Sequence, residues 1–147
     1  MGLKERIQED MKSAMRAAAK ERLAIVRLIL AAIKQREVDE RIVLDDPQIF
    51  SVLEKMGKQR RESIMQFESG ARPDLAAKET AELAIINSYL PAPLGDAELD
   101  ALIDEAIAQT GAASIKDMGK VMAQIKARAQ GRADMAAVGT RIKARLS

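Results

Sequence analysis

The chain has 147 residues, of which 48% are apolar and 31% charged, and a formal net charge of +2, a balance typical of a folded globular protein. It contains no cysteine and no histidine, which excludes disulfides, thiolate metal sites and the commonest general base. The apolar residues are mostly Ala, Leu, Ile and Met, with only three aromatic side chains, so the composition favours helix over strand.

Two amphipathic helices are predicted at the start of the chain. The first is indicated by apolar residues that recur every four positions, namely Leu3, Ile7, Met11 and Met15. The second carries a broader apolar face, made of Leu23, Val26, Leu30 and Ile33 and widened by Ile25, Leu28 and Ile29. A face of this breadth predicts a central helix that its neighbours contact on several sides.

The third and fourth helices have predicted ends. Asp46, followed by Pro47, is expected to cap the third helix, whose stripe comprises Phe50, Leu53, Met56, Ile64 and Phe67 and which Gly70 ends. Asp74 is expected to cap a fourth helix over residues 74–90. Its stripe comprises Leu83, Ile86 and Leu90, flanked by Ile85 and Tyr89. Pro91 and Pro93 would stop this helix, because proline lacks the backbone donor.

Three further helices are predicted after the connector. The fifth runs from Asp96 to Gly111, with Leu99, Leu102, Ile103 and Ala106 on its apolar face. Ser114 and Asp117 have the spacing of a capping box and would open a sixth helix that ends at Gly131. The stripe of that helix comprises Ile115, Met118, Met122 and Ile125. Asp134 would cap a seventh helix with Met135, Val138, Ile142 and Leu146 on its stripe.

The predicted fold class is therefore all-α, with a four-helix unit followed by a small three-helix domain. The predicted boundaries are residues 1–91 for the first unit, 92–95 for the linker and 96–147 for the second domain. A domain as short as the second buries little surface and is marginally stable.

The chain is expected to be cytoplasmic. Its amino terminus has no apolar segment of the kind found in secretory signals. The longest apolar stretch, Ile25 to Ile33, is interrupted by Arg27 and is far shorter than the roughly 18 residues of a membrane span.

Three stretches of the chain resemble the motifs of a known family. The fourth helix and its flanks carry Arg72, Asp74-Leu75, Glu79, Glu82 and Tyr89-Leu90-Pro91. Upstream lies KQRRESI at residues 58–64, and downstream KDMGKVM at residues 116–122. Together they resemble the YqeY family, whose relatives include the C-terminal helical tail of the GatB amidotransferase subunit. The resemblance extends from about residue 3 to residue 146 and departs at Met135, where the family often places glycine.

The resemblance implies a link to tRNA. The GatB tail contributes to holding tRNA during glutamine-dependent amidation, a carbon–nitrogen ligase reaction whose catalytic sites lie in other domains and subunits. This chain has no G-x-S-x-G turn and no phosphate-binding glycine motif, so we predict no catalytic residue and no cofactor. Whether the chain has any enzymatic activity stays open.

The charge is unevenly distributed. Residues 96–111 carry five acids and no base, whereas residues 112–147 carry eight bases and two acids, which gives local charges of −5 and +6. Such a basic surface is expected for a protein that binds a phosphate backbone. The RNA-binding candidates are Lys116 and Lys120, which match the family motif, then Lys126, Arg128 and Arg132, and in the first unit Lys55, Lys58, Arg60 and Arg61.

Two alternatives remain open at this point. A helical partner protein could dock on an exposed face bearing Met and Leu, without any nucleic acid. An enzyme that uses lysine or carboxylates is the third hypothesis. Glu79 and Glu82 share a helix face, but a di-metal site would need histidine partners. Both are therefore expected to be solvated charges, with Glu82 paired to Lys78. Gly119, inside a predicted helix, is expected to permit close helix packing or a ligand's approach.

Overall fold

The computed structural model describes residues 2–147, and within that range it contains seven α-helices, one 3-10 turn and no strand. The helices are α1 (Leu3–Arg16), α2 (Lys20–Glu40), α3 (Asp46–Ser69), α4 (Pro73–Asn87), α5 (Asp96–Thr110), α6 (Met118–Ala129) and α7 (Met135–Leu146). They form two compact units, Met1–Leu90 and Pro91–Ser147. The all-α prediction is confirmed. None of the helices in the described range is long and apolar enough to cross a membrane.

In the first unit, α2 contacts α1, α3 and α4, as the breadth of its apolar face predicted. The core is dominated by isoleucine, with Ile7, Ile25, Ile29, Ile33, Ile49 and Ile86 almost completely buried. Gly57 of α3 faces α4, and a Cβ at that position would lie 3.6 Å from the Leu83 side chain. At this distance a Cβ would make an ordinary van der Waals contact with α4, so the helix packing itself does not require glycine at position 57.

Two apolar residues lie outside the core that their spacing predicted. Met15 is 52% exposed and Leu28 50% exposed, while Ala14 of α1 is buried instead. A helix has 3.6 residues per turn, so a strict step of four drifts away from the buried face, and Met15 is the position that has drifted furthest. Ala14 lies two full turns after Ile7 and returns to the core.

The predicted cap of α3 was wrong by one residue. Asp45, not Asp46, is the N-cap, and its side chain and that of Gln48 form a reciprocal capping box at the start of α3. Pro47 accordingly lies one position later in the first turn than predicted. The Asp46 carboxylate instead accepts a 3.0 Å hydrogen bond from the backbone N–H of Leu3, so it satisfies a free donor at the start of α1.

The predicted cap and end of α4 were also wrong. The helix begins at Pro73, with Arg72 in the N-cap position and no side-chain cap. The Asp74 carboxylate accepts from the Arg72 guanidinium at 3.2–3.3 Å, and this bond is the main reason that the pKa of Asp74 is lowered. The helix ends at Asn87, before Tyr89 and Leu90, because the chain turns there to bury the tyrosine ring.

Tyr89 connects the end of the first unit to α1. It is 3% exposed, and its hydroxyl donates a 2.5 Å hydrogen bond to the Asp10 carboxylate. The guanidinium of Arg6 lies 5.2 Å from the ring centroid, and that of Arg22 lies 3.8 Å from Asp10. Burial, followed by the bond to Asp10, raises the pKa of Tyr89 to about 12.

The second unit has a small core to which each helix contributes three buried residues. They are Leu99, Ile103 and Ala106 from α5, Val121, Ile125 and Ala129 from α6, and Val138, Ile142 and Leu146 from α7. Met135, at the position where the chain departs from the YqeY pattern, packs against this core. Each of the three short helices thus presents one face of residues at helical spacing to a shared core.

The boundaries of α6 differ from the prediction. Ser114 and Asp117 form the predicted capping box, but it opens a 3-10 turn over Ile115–Asp117, and α6 begins only at Met118. Ile115 is therefore 45% exposed, and Val121 takes the core position. The helix ends at Ala129, before Gly131. Asp134 caps α7 as predicted, accepting from the N–H of Ala136 at 3.0 Å.

We predict that Tyr89→Phe lowers the free energy of unfolding by about 1–2 kcal/mol at neutral pH, because it removes a buried hydrogen bond to a carboxylate. The raised pKa of Tyr89 means that the fold favours the neutral phenol, so this contribution is present below pH 10 and is lost as the pH rises through about 12. Urea denaturation at pH 7 and pH 11 measures both effects. Ser88→Ala, which removes an exposed hydroxyl, is the control. An unchanged stability of Tyr89→Phe would contradict the assignment.

Candidate nucleic-acid interface

The carboxylates of α5 bind the arginines of α7. Arg141 donates to Asp100 at 2.9 Å through Nη1 and to Asp96 at 2.6 Å through Nη2. Arg145 lies 3.7 Å from Asp100 and also pairs with Asp104. The planar guanidinium fork can engage two carboxylates at once, which an ammonium group cannot do in a fixed geometry.

The remaining arginines of the second unit are bound in the same way. Arg128 of α6 donates to Glu105 at 2.8 Å. Arg132 lies 3.7 Å from Glu98, and its Nε donates to the carbonyl of Ala92 at 2.9 Å. The Arg132 carbonyl in turn accepts from the N–H of Leu94 at 2.8 Å. The segment before α5 is thereby fixed to the loop before α7.

The lysines of the second unit behave differently. All four are exposed, and none forms an ion pair with another residue in the described range; they are Lys116, Lys120, Lys126 and Lys143. Lys116 and Lys120 are one helical turn apart. The acid nearest in sequence, Asp117, accepts from the N–H groups of Ala113 and Ser114, and these bonds, with a smaller effect of Lys120, lower its pKa. Within the described range, the positive charge of this unit that is not ion-paired is therefore carried by lysine.

In the first unit, Arg60 of α3 forms ion pairs with Glu79 and Glu82 of α4. Its Nε lies 2.8 Å from Glu82 and 3.2 Å from Glu79, and the Arg60 side chain is 18% exposed. The expected pair between Glu82 and Lys78 was wrong, because the contact across α3 and α4 takes its place. No group of acids in the described residues is arranged to hold a metal ion.

The nine sequence candidates thus divide by their partners. Arg60, Arg128 and Arg132 form ion pairs within the protein. The other six are exposed and form no ion pair in the described range, namely Lys55, Lys58, Arg61, Lys116, Lys120 and Lys126. Lys143 is also exposed and without an ion pair in the described range, but it was not among the predicted RNA-binding residues. Its place between two other basic residues of the last helix could have indicated it. Exposed ammonium groups of this kind can bind phosphate oxygens as point charges.

Gly119 lies in the first turn of α6, between Lys116 and Lys120. A Cβ at this position would meet nothing within 4 Å, so the expectation that the glycine permits helix packing was wrong. Within the second unit, Gly139 of α7 does face a neighbour, because a Cβ there would lie 3.4 Å from the Met118 methyl group.

The family model for Yqey-like protein matches residues 4–146 of this chain. The chain belongs to the YqeY family. The match covers both compact units and includes the exposed lysines of α6 and the ion-paired Arg60 of α3.

Curated relatives come from fungi and carry the name "Altered inheritance of mitochondria protein 41, mitochondrial". The relative from Pyrenophora tritici-repentis is 34% identical over 130 residues, which is 84% of this chain and 71% of the relative. That from Eremothecium gossypii is 35% identical over 126 residues, 81% of this chain and 67% of the relative. For the Candida glabrata relative the match covers only 52% of its length, at 34% identity over 63% of this chain.

These names contradict the expectation of a cytoplasmic protein, since the relatives are described as mitochondrial. The expectation rested on the absence of a secretory signal and of a membrane span. Neither criterion addresses mitochondria, because transit peptides are amphipathic and rich in Arg and Ser rather than apolar.

We predict that Gly119→Ala raises the free energy of unfolding by up to about 1 kcal/mol, because alanine has the higher helix propensity and its methyl group meets open space. Gly111→Ala is the matched control, since it too has nothing within 4 Å but has a φ of +68°. It should lower the free energy of unfolding by about 1 kcal/mol, because the left-handed region is strained for alanine. Equal effects of the two substitutions in chemical denaturation would contradict this assignment.

Proposed function

We propose that this protein binds structured RNA, with tRNA as the first candidate, through the lysines of its second unit. The observation that supports this most is the division of the cations: α5 binds the arginines, while Lys116, Lys120 and Lys126 have no ion-pair partner in the described range. An RNA phosphate can bind such lysines without first breaking an ion pair inside the protein.

The proposed recognition uses shape and phosphate contacts rather than base stacking. Of the three aromatic side chains, Tyr89 is buried, and Phe50 and Phe67 are partly buried on α3. Stacking of bases on aromatic rings is therefore not available as a main source of affinity. The first unit would add a second basic surface through Lys55, Lys58 and Arg61, which are exposed on α3.

The proposed role is to hold RNA, not to catalyse amide transfer alone. The family relation connects the chain with glutamine-dependent carbon–nitrogen ligases, whose chemistry needs a nucleophile and an activating nucleotide site. With no cysteine, no histidine and no phosphate-binding glycine motif, this chain offers neither by any familiar pattern. An amidotransferase association would therefore consist of delivering or positioning tRNA for another protein.

The proposal is tested by measuring the binding of purified protein to tRNA as a function of salt concentration. We predict that Lys116→Glu/Lys120→Glu weakens binding at least tenfold and reduces the slope of log K against log salt by about two, because two phosphate contacts are lost. Lys12→Glu/Lys20→Glu, which changes the charge equally at exposed positions of α1 and α2, is the control.

No tRNA binding at low salt would overturn the proposal. Binding that both double variants weaken equally would also overturn it, because net charge rather than the α6 surface would then be responsible.

A second candidate function is a helical protein-interaction module without nucleic acid. It is favoured by large exposed apolar side chains on the first unit, among them Leu28, which is 50% exposed, and Met65, which is 67% exposed. Met11, Met118 and Met122 do not support it, because they pack against the two cores. Apolar docking should be insensitive to salt, so the same titration separates the two functions.

A further inference from the structure

The last turn of α2 and the loop that follows it display apolar side chains to solvent. Val38 is 62% exposed, Ile42 38% and Val43 80%, and we refer to these three residues as the apolar tip. A single exposed valine is ordinary, but three β-branched residues within six positions at one helix end make a local patch.

The apolar tip is held from the α2 side by Glu37. The Glu37 carboxylate accepts from the N–H of Leu44 at 3.0 Å and from the Lys4 ammonium at 3.0 Å, and these bonds lower its pKa. The Leu44 side chain is only 4% exposed and anchors the loop in the core. The N–H of Ile42 donates to the Glu37 carbonyl at 3.1 Å, after Arg41 has turned into the left-handed region.

The apolar tip is also held from the α3 side. Asp45 and Gln48 form the capping box of α3, and the Arg36 guanidinium donates to the carbonyl of Gln48 at 3.1 Å. The loop that carries Ile42 and Val43 is therefore held by hydrogen bonds both to α2 and to α3. A surface already ordered in this way loses little conformational entropy when a partner binds it.

The charge around the apolar tip is negative. Residues 38–46 contain the carboxylates of Asp39, Glu40, Asp45 and Asp46 and one guanidinium, that of Arg41. Among the described residues, only Glu40 of these four acids forms an ion pair, with Arg36 at 2.5 Å, whereas Asp39 accepts from the uncharged amide of Gln35. Such a rim repels RNA and also repels the same surface of a second copy.

A groove of about 570 Å³ lies between α2 and α3 at the same end of α2. Three of its lining residues are apolar, namely Ala32, Val52 and Met56, and seven are polar, among them Arg36, Asp39, Glu40 and Lys55. The groove is therefore mainly polar, and the apolar contact of a partner would be made by the apolar tip.

We propose that the apolar tip docks a protein partner whose contact surface is an apolar pocket bordered by lysine or arginine. The occupant follows from charge complementarity, because the acidic rim disfavours nucleic acid and self-pairing and favours a basic protein surface. Three residues make a small contact, so the complex is of the transient kind. The apolar tip itself shares no residue with the proposed RNA-binding lysines, although Lys55 of the first-unit basic surface lines the neighbouring groove.

The absence of cysteine permits a specific test. Val43→Cys and, as a control, Met15→Cys are each labelled with a benzophenone maleimide and irradiated in an extract of the source cells. Met15 is suited to be the control because it is also apolar and 52% exposed. A protein cross-linked through position 43 and not position 15 is identified, purified and titrated against the unlabelled chain.

We expect Val43→Asp to raise the Kd of that purified protein about tenfold or more, as for a central apolar contact, and Asp39→Lys to raise it several-fold, more at low salt than at high salt. Met15→Asp should leave the Kd unchanged, and all three variants should keep the melting temperature, since these side chains are exposed.

Three results would overturn the proposal. They are cross-linking at position 43 that does not exceed position 15, an unchanged Kd for Val43→Asp, and cross-linking of position 43 only to a second copy of the chain.

Discussion

In the second unit, the structure depends on the pairing of the α5 carboxylates with arginine. Each of the five acids of α5 has an arginine partner on α6, on α7 or in the loop between them. One exposed ion pair contributes at most about 1 kcal/mol, but Arg141 and Arg145 share Asp100 and so form a connected network. Around a core of three residues per helix, such a network orients three short helices that burial alone holds weakly.

This pairing also determines which charges face solvent. Arginine suits an intramolecular bidentate contact, and lysine is the strongly hydrated cation left at the surface. The −5 and +6 segments of the sequence therefore do not act as two opposed surfaces. The negative segment is largely neutralised by arginine, and the four lysines remain exposed without an ion pair in the described range. The first unit does not follow this division strictly: Glu79 and Glu82 bind Arg60, but Lys4 pairs with Glu37.

The number and order of the helices followed from the sequence because apolar spacing reports the buried face directly. The helix starts were less certain where two acceptors lie close together. Asp45 and Asp46 are adjacent, and only the tertiary contact of Asp46 with Leu3 shows which of them caps α3. For α4, Pro73 already supplies a helical first position, so Asp74 lies inside the helix and pairs with Arg72.

For the candidate interface, the sequence predicted which residues are charged but not which of them form ion pairs within the protein. The sequence could indicate a basic region and its family motif, but the choice between Lys78 and Arg60 as the partner of Glu82 depends on how α3 lies along α4. Likewise, the open space beside Gly119 cannot be read from the composition of its helix. The apolar tip was not predicted either, because Val38, Ile42 and Val43 do not differ from core residues until the loop is placed.

The most direct test of the account compares the salt dependence of tRNA binding for two fourfold variants of the second unit. One replaces Arg128, Arg132, Arg141 and Arg145 with lysine, and the other replaces Lys116, Lys120, Lys126 and Lys143 with glutamine. We predict that the arginine variant melts at a lower temperature but keeps the slope of log K against log salt. The lysine variant should melt like the wild type and lose up to about four units of that slope. A lysine variant that retains the wild-type slope would contradict the account.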